Sequence, residues 1–162
     1  MRVERAVLLP CTPERCHEEV LTTRLLRYVA SPMLRFDPIE PPVLPERWDD
    51  GEHVVSLRLF GFLPFGRQVI GISRRDRSRE MGHFHAELRD NGRGSFISKW
   101  DHLITIEAQD GACRYSDRVE VRAGLLTPFV WLFAWFFYRH RQRRWLGLAE
   151  QGFDYRAVGW RA

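Results

Sequence analysis

From Met33 to Ala123 the apolar residues recur with a period of two, and the segments that carry this period are joined by very short, turn-rich separators. That pattern restricts the fold more than any other feature of the chain, because short separators between strands enforce antiparallel neighbours. The expected strands are Leu34–Asp37, His53–Gly61, Gly66–Arg75, Glu80–Arg89, Gly94–Glu107 and Cys113–Ala123. Asn91-Gly92 and Asp110-Gly111 are hairpin dipeptides and are expected to turn the chain. The segment from Pro38 to Gly51 carries Pro38, Pro41, Pro42 and Pro45 and is expected to be a loop.

The flanks differ in character. Val3–Leu9 reads as a first strand. Thr12-Pro13-Glu14 then opens a helix, with Thr12 as N-cap and Pro13 at the first helical position. Helical character runs through His17–Val29 as two short helices and stops before Pro32. A long helix from about Pro128 to Glu150 closes the chain. The order is therefore one strand, two helices, six strands, one helix. An antiparallel meander of six or seven strands must cover one face, and one long helix is available to do so. The economical solution is an α+β fold in which a bent sheet grips that helix. A cavity between the two layers is then a natural ligand site. The length of 162 residues suits a single domain over 1–162.

Charge and cysteine content narrow the function classes. Arginine supplies 24 of the 25 basic residues, Lys99 being the single lysine, and 21 acidic residues are interspersed. No aromatic–basic RNA motif is present, so nucleic acid is not expected as a partner. Three cysteines without regular spacing (Cys11, Cys16 and Cys113) argue against a disulfide framework and are read as reduced thiols in a cytoplasmic protein. The apolar run near the N-terminus is too short for a signal peptide. The fourteen-residue run from Leu125 to Tyr138 is too short to span a bilayer, so stable membrane insertion is not expected. This run is apolar all round, which leaves the sheet on one side and a pocket, a homodimer partner or a membrane surface on another as open alternatives.

Alternation sorts the sheet faces. Phe96, Ser98, Trp100, His102, Ile104 and Ile106 form the more apolar face of their strand and are expected to point inward. On the next strand Tyr115, Asp117, Val119 and Val121 alternate with Arg114, Arg118 and Arg122, so the arginine face is expected to be solvated. A His, an Asp and a Tyr thus meet in an apolar setting. A buried carboxylate needs a partner, and His102 is the natural one for Asp117. The cluster reads either as a polar anchor or acid–base pair at the end of a pocket, or as a structural hydrogen-bond network joining two strands, and the structural reading is preferred. Phe84, Ala86 and Leu88 make the better core face of their strand. His83 and His85 are then expected to face solvent with Glu87. Two imidazoles at that spacing can bind a metal, but the spacing supplies no further ligand, so neither metal nor cofactor is expected. On the last helix Trp131, Trp135, Tyr138, Trp145 and Ala149 form one stripe toward the sheet, with Arg139, Arg141, Arg143 and Arg144 off it and solvated.

Trp100-Asp101-His102 leading into Leu103–Glu107, then Tyr115-Ser116-Asp117-Arg118-Val119-Glu120-Val121, then a glycine turn and an aromatic helix ending Phe137-Tyr138-Arg139-His140-Arg141, resemble the signature of the polyketide cyclase/dehydrase-type branch of the START-like (SRPBCC, helix-grip) superfamily. Leu9-Pro10-Cys11-Thr12-Pro13-Glu14 is similar to its first strand end and helix start. The resemblance covers Val3 to about Gly152. It implies a helix-grip fold that encloses a hydrophobic small molecule such as a lipid, a quinone or a polyketide-like ring. Phe84, Trp100, His102, Tyr115, Asp117, Trp131, Trp135 and Tyr138 are the expected pocket residues. The alternative it allows is a cyclase/aromatase-type enzyme in which His102, Tyr115 and Asp117 steer proton transfer.

Overall fold

The computed structural model describes residues 1–160, so positions 161 and 162, the end of the expected domain, lie outside the described residues. Strand β1 (Arg2–Leu9) is followed by helices α1 (Pro13–Val20) and α2 (Thr23–Ala30). Then come β2 (Leu34–Glu40), β3 (Gly51–Leu59), β4 (Leu63–Asp76), the one-turn helix α3 (Ser78–Met81), β5 (His85–Gly94), β6 (Lys99–Gln109) and β7 (Ala112–Arg122). A short 3-10 turn at Gly124–Leu126 leads into helix α4 (Thr127–Glu150). This is the order that the sequence implies, with α3 added.

All seven strands form one antiparallel sheet in the order β1-β7-β6-β5-β4-β3-β2. Only β1 leaves the meander: it pairs with the last strand along its whole length, from Arg2 opposite Glu120 to Leu9 opposite Cys113. The two short helices therefore bridge from one edge of the sheet to the other. Each starts on a threonine cap, Thr12 Oγ1 accepting from the Arg15 amide at 3.2 Å and Thr22 Oγ1 from the Leu25 amide at 3.2 Å. Register shifts at Pro38/Glu40 and Ser56/Arg58 bend the β2–β4 side.

The inner face of the sheet and α4 enclose two layers of core. One, under the C-terminal half of α4, joins Leu9, Leu25, Val55, Ile106, Trp145 and Leu148. The other, under its N-terminal half, joins Val119, Val121, Ala134, Phe137 and Tyr138. This is the helix-grip arrangement that the resemblance implies.

Three local expectations are corrected. Asn91-Gly92 is not a turn: β5 continues through both, and Asn91 pairs with Asp101 and Gly92 with Trp100. The glycines serve close approach instead. A Cβ on Gly94 would lie 2.5 Å from Gln68 Oε1 and 2.8 Å from the Arg67 carbonyl oxygen, and one on Gly92 would lie 2.9 Å from the Val69 carbonyl oxygen. The turn falls four residues later, so Phe96 is exposed and Ile97 takes the buried place. The strand expected from Glu80 begins at His85, because Ser78–Met81 closes a helical turn that ends on left-handed Gly82. Finally, the inward stripe of α4 runs through Val130, Ala134, Phe137/Tyr138, Arg141/Gln142, Trp145 and Leu148/Ala149. Trp131 and Trp135 flank this stripe, because β1 runs beside the helix and covers them: the Trp131 indole donates to the Arg2 carbonyl at 2.9 Å, and the Arg5 guanidinium sits over the Trp135 ring. Asp110-Gly111 does turn the chain as expected, both residues having left-handed φ (49° and 78°).

Candidate functional site

Between the sheet and the N-terminal half of α4 lies a cavity of about 300 Å³. Its wall is drawn from every layer of the fold. Val20, Leu25 and Leu26 come from the short helices, Leu57, Ile70, Ile72, Leu88 and Ile104 from the sheet, and Phe129, Val130, Phe133 and Phe137 from α4. The β-strand residues reach it because each sits on the inward half of its alternation. Trp48, buried in the proline-rich loop, also lines the cavity, and its amide donates to the Leu21 carbonyl at 2.7 Å. Phe62 in the β3–β4 turn, Phe96 in the β5–β6 turn, and Leu125 and Phe129 around the start of α4 are exposed.

Apart from Tyr138 and the two tryptophans, the polar side chains that join this wall are Gln68, Asp90, His102 and Arg141, on β4, β5, β6 and α4. Behind His102 and Arg141 lies a buried hydrogen-bond network. His102 Nε2 is 2.8 Å from Asp117 Oδ1, and Tyr115 donates its hydroxyl proton to the same oxygen at 2.8 Å. Gln142 Nε2 donates to Asp117 Oδ2 at 3.1 Å. Arg141 Nη2 donates to the Tyr115 hydroxyl at 3.0 Å, and its Nε lies 3.4 Å from Asp117 Oδ1. The network joins β6, β7 and α4, so it fastens the helix to the sheet.

Electrostatics assigns the protonation states. Burial pushes Asp117 up, but the Arg141 charge and the hydrogen bonds from His102 and Tyr115 outweigh it, and the carboxyl is held below its ordinary value. Burial lowers His102 despite Asp117, so the ring is neutral and donates Nε2–H to the carboxylate. Nδ1 keeps its lone pair and is not committed to Asp117. Burial also carries Tyr115 well above its ordinary value, and Tyr138 likewise. Asp90 differs. It faces the cavity but is far from bulk water, and this desolvation pushes its carboxyl up to about 7 against one amide hydrogen bond from Gly71 at 2.8 Å.

Of the residues expected at a pocket, Trp100, His102 and Tyr138 line the cavity, the Trp100 and Tyr138 rings stacking at 6.2 Å. Tyr115 and Asp117 are fully buried one layer behind it. Phe84 packs against His17 near α1, and Trp131 and Trp135 pack along β1. The structure adds Asp90 and Arg141. Arg141, expected in solvent, is only 5% exposed. Its position, three after Tyr138 and four before Trp145, was the available signal. Asp90 continues the inward alternation Ala86, Leu88, Asp90, which the Asp-Asn-Gly turn reading masked.

No protein-family model matches the chain, and no curated protein matches it. Solved structures do. A protein from Chromobacterium violaceum superposes with a TM-score of 0.63 over 92% of this chain and 97% of its own, at 13% identity. A START superfamily protein from Mycobacterium smegmatis gives 0.59 over 93% and 97%, also at 13% identity. Ara h 8.0201 gives 0.58 over 93% and 98%, at 12% identity. The chain therefore has the START-like helix-grip fold, and among the described residues no helix is long and apolar enough to cross a membrane.

Proposed function

We propose that this protein binds one hydrophobic small molecule with a polar end, of the lipid, quinone or polyketide-ring type, in the cavity between the sheet and α4. The observation that carries this reading is the distribution of polarity in the cavity wall, which is mostly aliphatic and aromatic, with Gln68, Asp90, His102 and Arg141 as its strongly polar members. An apolar body is favoured by burial at roughly 25 cal/mol per Å². A carbonyl or hydroxyl at one end can meet a guanidinium, a protonated carboxyl or the free lone pair of His102. The three free thiols fit a reducing cytoplasm. The test is native mass spectrometry of the purified protein, extraction of any bound molecule, and titration with an apolar fluorescent probe. Phe133→Ala, in the cavity wall, is expected to weaken probe binding several-fold. Trp135→Ala, on the β1 side, is expected to leave it unchanged. Equal binding by wild type and Phe133→Ala sinks the proposal.

Asp90 supports a second reading, proton transfer on the bound ring, because a carboxyl near neutrality beside an apolar ligand suits a general acid or base. Asp90 and His102 would then act, with Tyr115 and Asp117 holding His102. Wild-type protein would speed deuterium uptake next to the carbonyl of a bound cyclic diketone, and Asp90→Asn would not. Equal uptake in both removes this reading and leaves the binding proposal intact.

A further inference from the structure

The outer face of the sheet carries a second cluster, distant from the cavity. His85 opens β5 and is the cross-strand partner of Glu107 on β6; Glu87 follows two residues later on the same face. The sequence suggests that His85 faces solvent, but the turn of α3 folds over it. Ser78 Oγ accepts from the His85 amide at 3.0 Å, and the residue is only 6% exposed. His83 stands beside it, exposed, with ring centroids 6.4 Å apart. One ligating atom from each of His83, His85 and Glu107 lies within 4.8 Å of the other two.

His85 has an unresolved electrostatic demand. Its Nε2 is 3.3 Å from Glu87 Oε1, and its Nδ1 is 3.1 Å from Glu107 Oε1. A neutral imidazole donates through one nitrogen only. With Nε2–H directed at Glu87, Nδ1 turns a lone pair toward a carboxylate oxygen, and it is buried without a hydrogen-bond partner. Two lone pairs facing each other are reconciled by a cation between them. The 3.1 Å between His85 Nδ1 and Glu107 Oε1 fits one, because ligands bound tetrahedrally at about 2.0–2.1 Å lie roughly 3.3 Å apart, and the His83 ring has only to swing in from within 4.8 Å. The supporting partners are also in place. Glu87 accepting from the far nitrogen of a ligating histidine is the carboxylate–histidine–metal relay that fixes a ligand ring. Arg114 Nη1 holds the other oxygen of Glu107 at 3.2 Å, and Arg77 lies 3.6 Å from Glu87.

We propose that His83, His85 and Glu107 form a site for a divalent transition cation of the zinc type, with Glu87 orienting His85 and at least one position left to water. Two nitrogens and one oxygen suit zinc better than magnesium or calcium, which take oxygen ligands. A bound ion would clip the start of β5 to the end of β6 and hold exposed Gly82 and His83 against the sheet.

The test uses the full chain stripped with a chelator and titrated calorimetrically with Zn²⁺, with Mg²⁺ as control. One zinc per chain at micromolar affinity or tighter is expected, with no binding of Mg²⁺. His83→Ala and Glu107→Gln, both outside the core, are each expected to weaken zinc at least tenfold while circular dichroism and apolar-probe binding stay unchanged. Glu87→Gln should weaken it by about 10- to 100-fold. Cobalt(II) in the same site should show no thiolate charge-transfer band. Such a band would put the ion at the free thiols of Cys11, Cys16 and Cys113 and overturn the proposal. Absence of one-to-one zinc binding, or binding that survives either His83→Ala or Glu107→Gln at full strength, also overturns it and leaves His85 a structural link between Glu87 and Glu107.

Discussion

Both oxygens of Asp117 are engaged inside the protein, by His102, Tyr115 and Gln142, and its charge is balanced by Arg141. Removing one member of such a set leaves a buried charge exposed to no water. Arg141→Met is therefore expected to cost about 3–5 kcal/mol in denaturant unfolding, and adding Asp117→Asn to recover part of that loss. Asp90 gives a different signature. Its carboxyl is raised to about 7 from 3.8, so the folded protein binds this proton more tightly than the unfolded chain does. Its cost to stability is absent below about pH 4, grows as pH rises and is complete above about 7. The melting temperature of wild type relative to Asp90→Asn, which keeps the acceptor for the Gly71 amide, is expected to fall between about pH 5 and pH 8. A difference independent of pH removes the assignment. At this scale, alternation was enough to find His102, Tyr115 and Asp117 from the sequence. Arg141 and Asp90 were hidden because arginine defaults to the solvent face and Asp-Asn-Gly to a turn, and only burial in three dimensions overrides those defaults.

The strands show what short-range signals can and cannot locate. Asp110-Gly111 marks a hairpin because both residues need left-handed backbone there. Asn91-Gly92 carries an equally strong local signal yet lies inside β5, because the approach of Gln68 and the backbone of β4 leaves no room for a side chain. Gly94→Ala tests this. Its Cβ would meet the Arg67 carbonyl oxygen at 2.8 Å, a backbone atom that no rotamer change removes. A loss of about 1–3 kcal/mol is expected, and Gln68→Ala should not rescue it. Helix α4 was legible in extent but not in rotation. Its first half is apolar on every side, so the pattern alone could not say that β1 covers Trp131 and Trp135 while Val130 and Ala134 face inward.

For the molecule as a whole, the sequence of elements left few topologies open, since short hairpins fix neighbours along a meander and one helix must cover the inner face. The pairing of β1 with β7 and the size of the cavity were not legible, because both depend on contacts between residues far apart in the chain. The place of Trp48 in the wall is of the same kind: nothing local in a proline-rich loop marks one tryptophan as cavity lining.

An apolar cavity of about 300 Å³ is also a mechanical property. Such space vanishes when the chain unfolds, so the unfolded state occupies less volume and hydrostatic pressure favours it. The ligand-free protein should therefore unfold under unusually mild compression. Ile104→Phe, which fills part of the cavity, should make the volume change of unfolding less negative when the transition is followed by tryptophan fluorescence under pressure. An unaltered volume change would overturn this expectation.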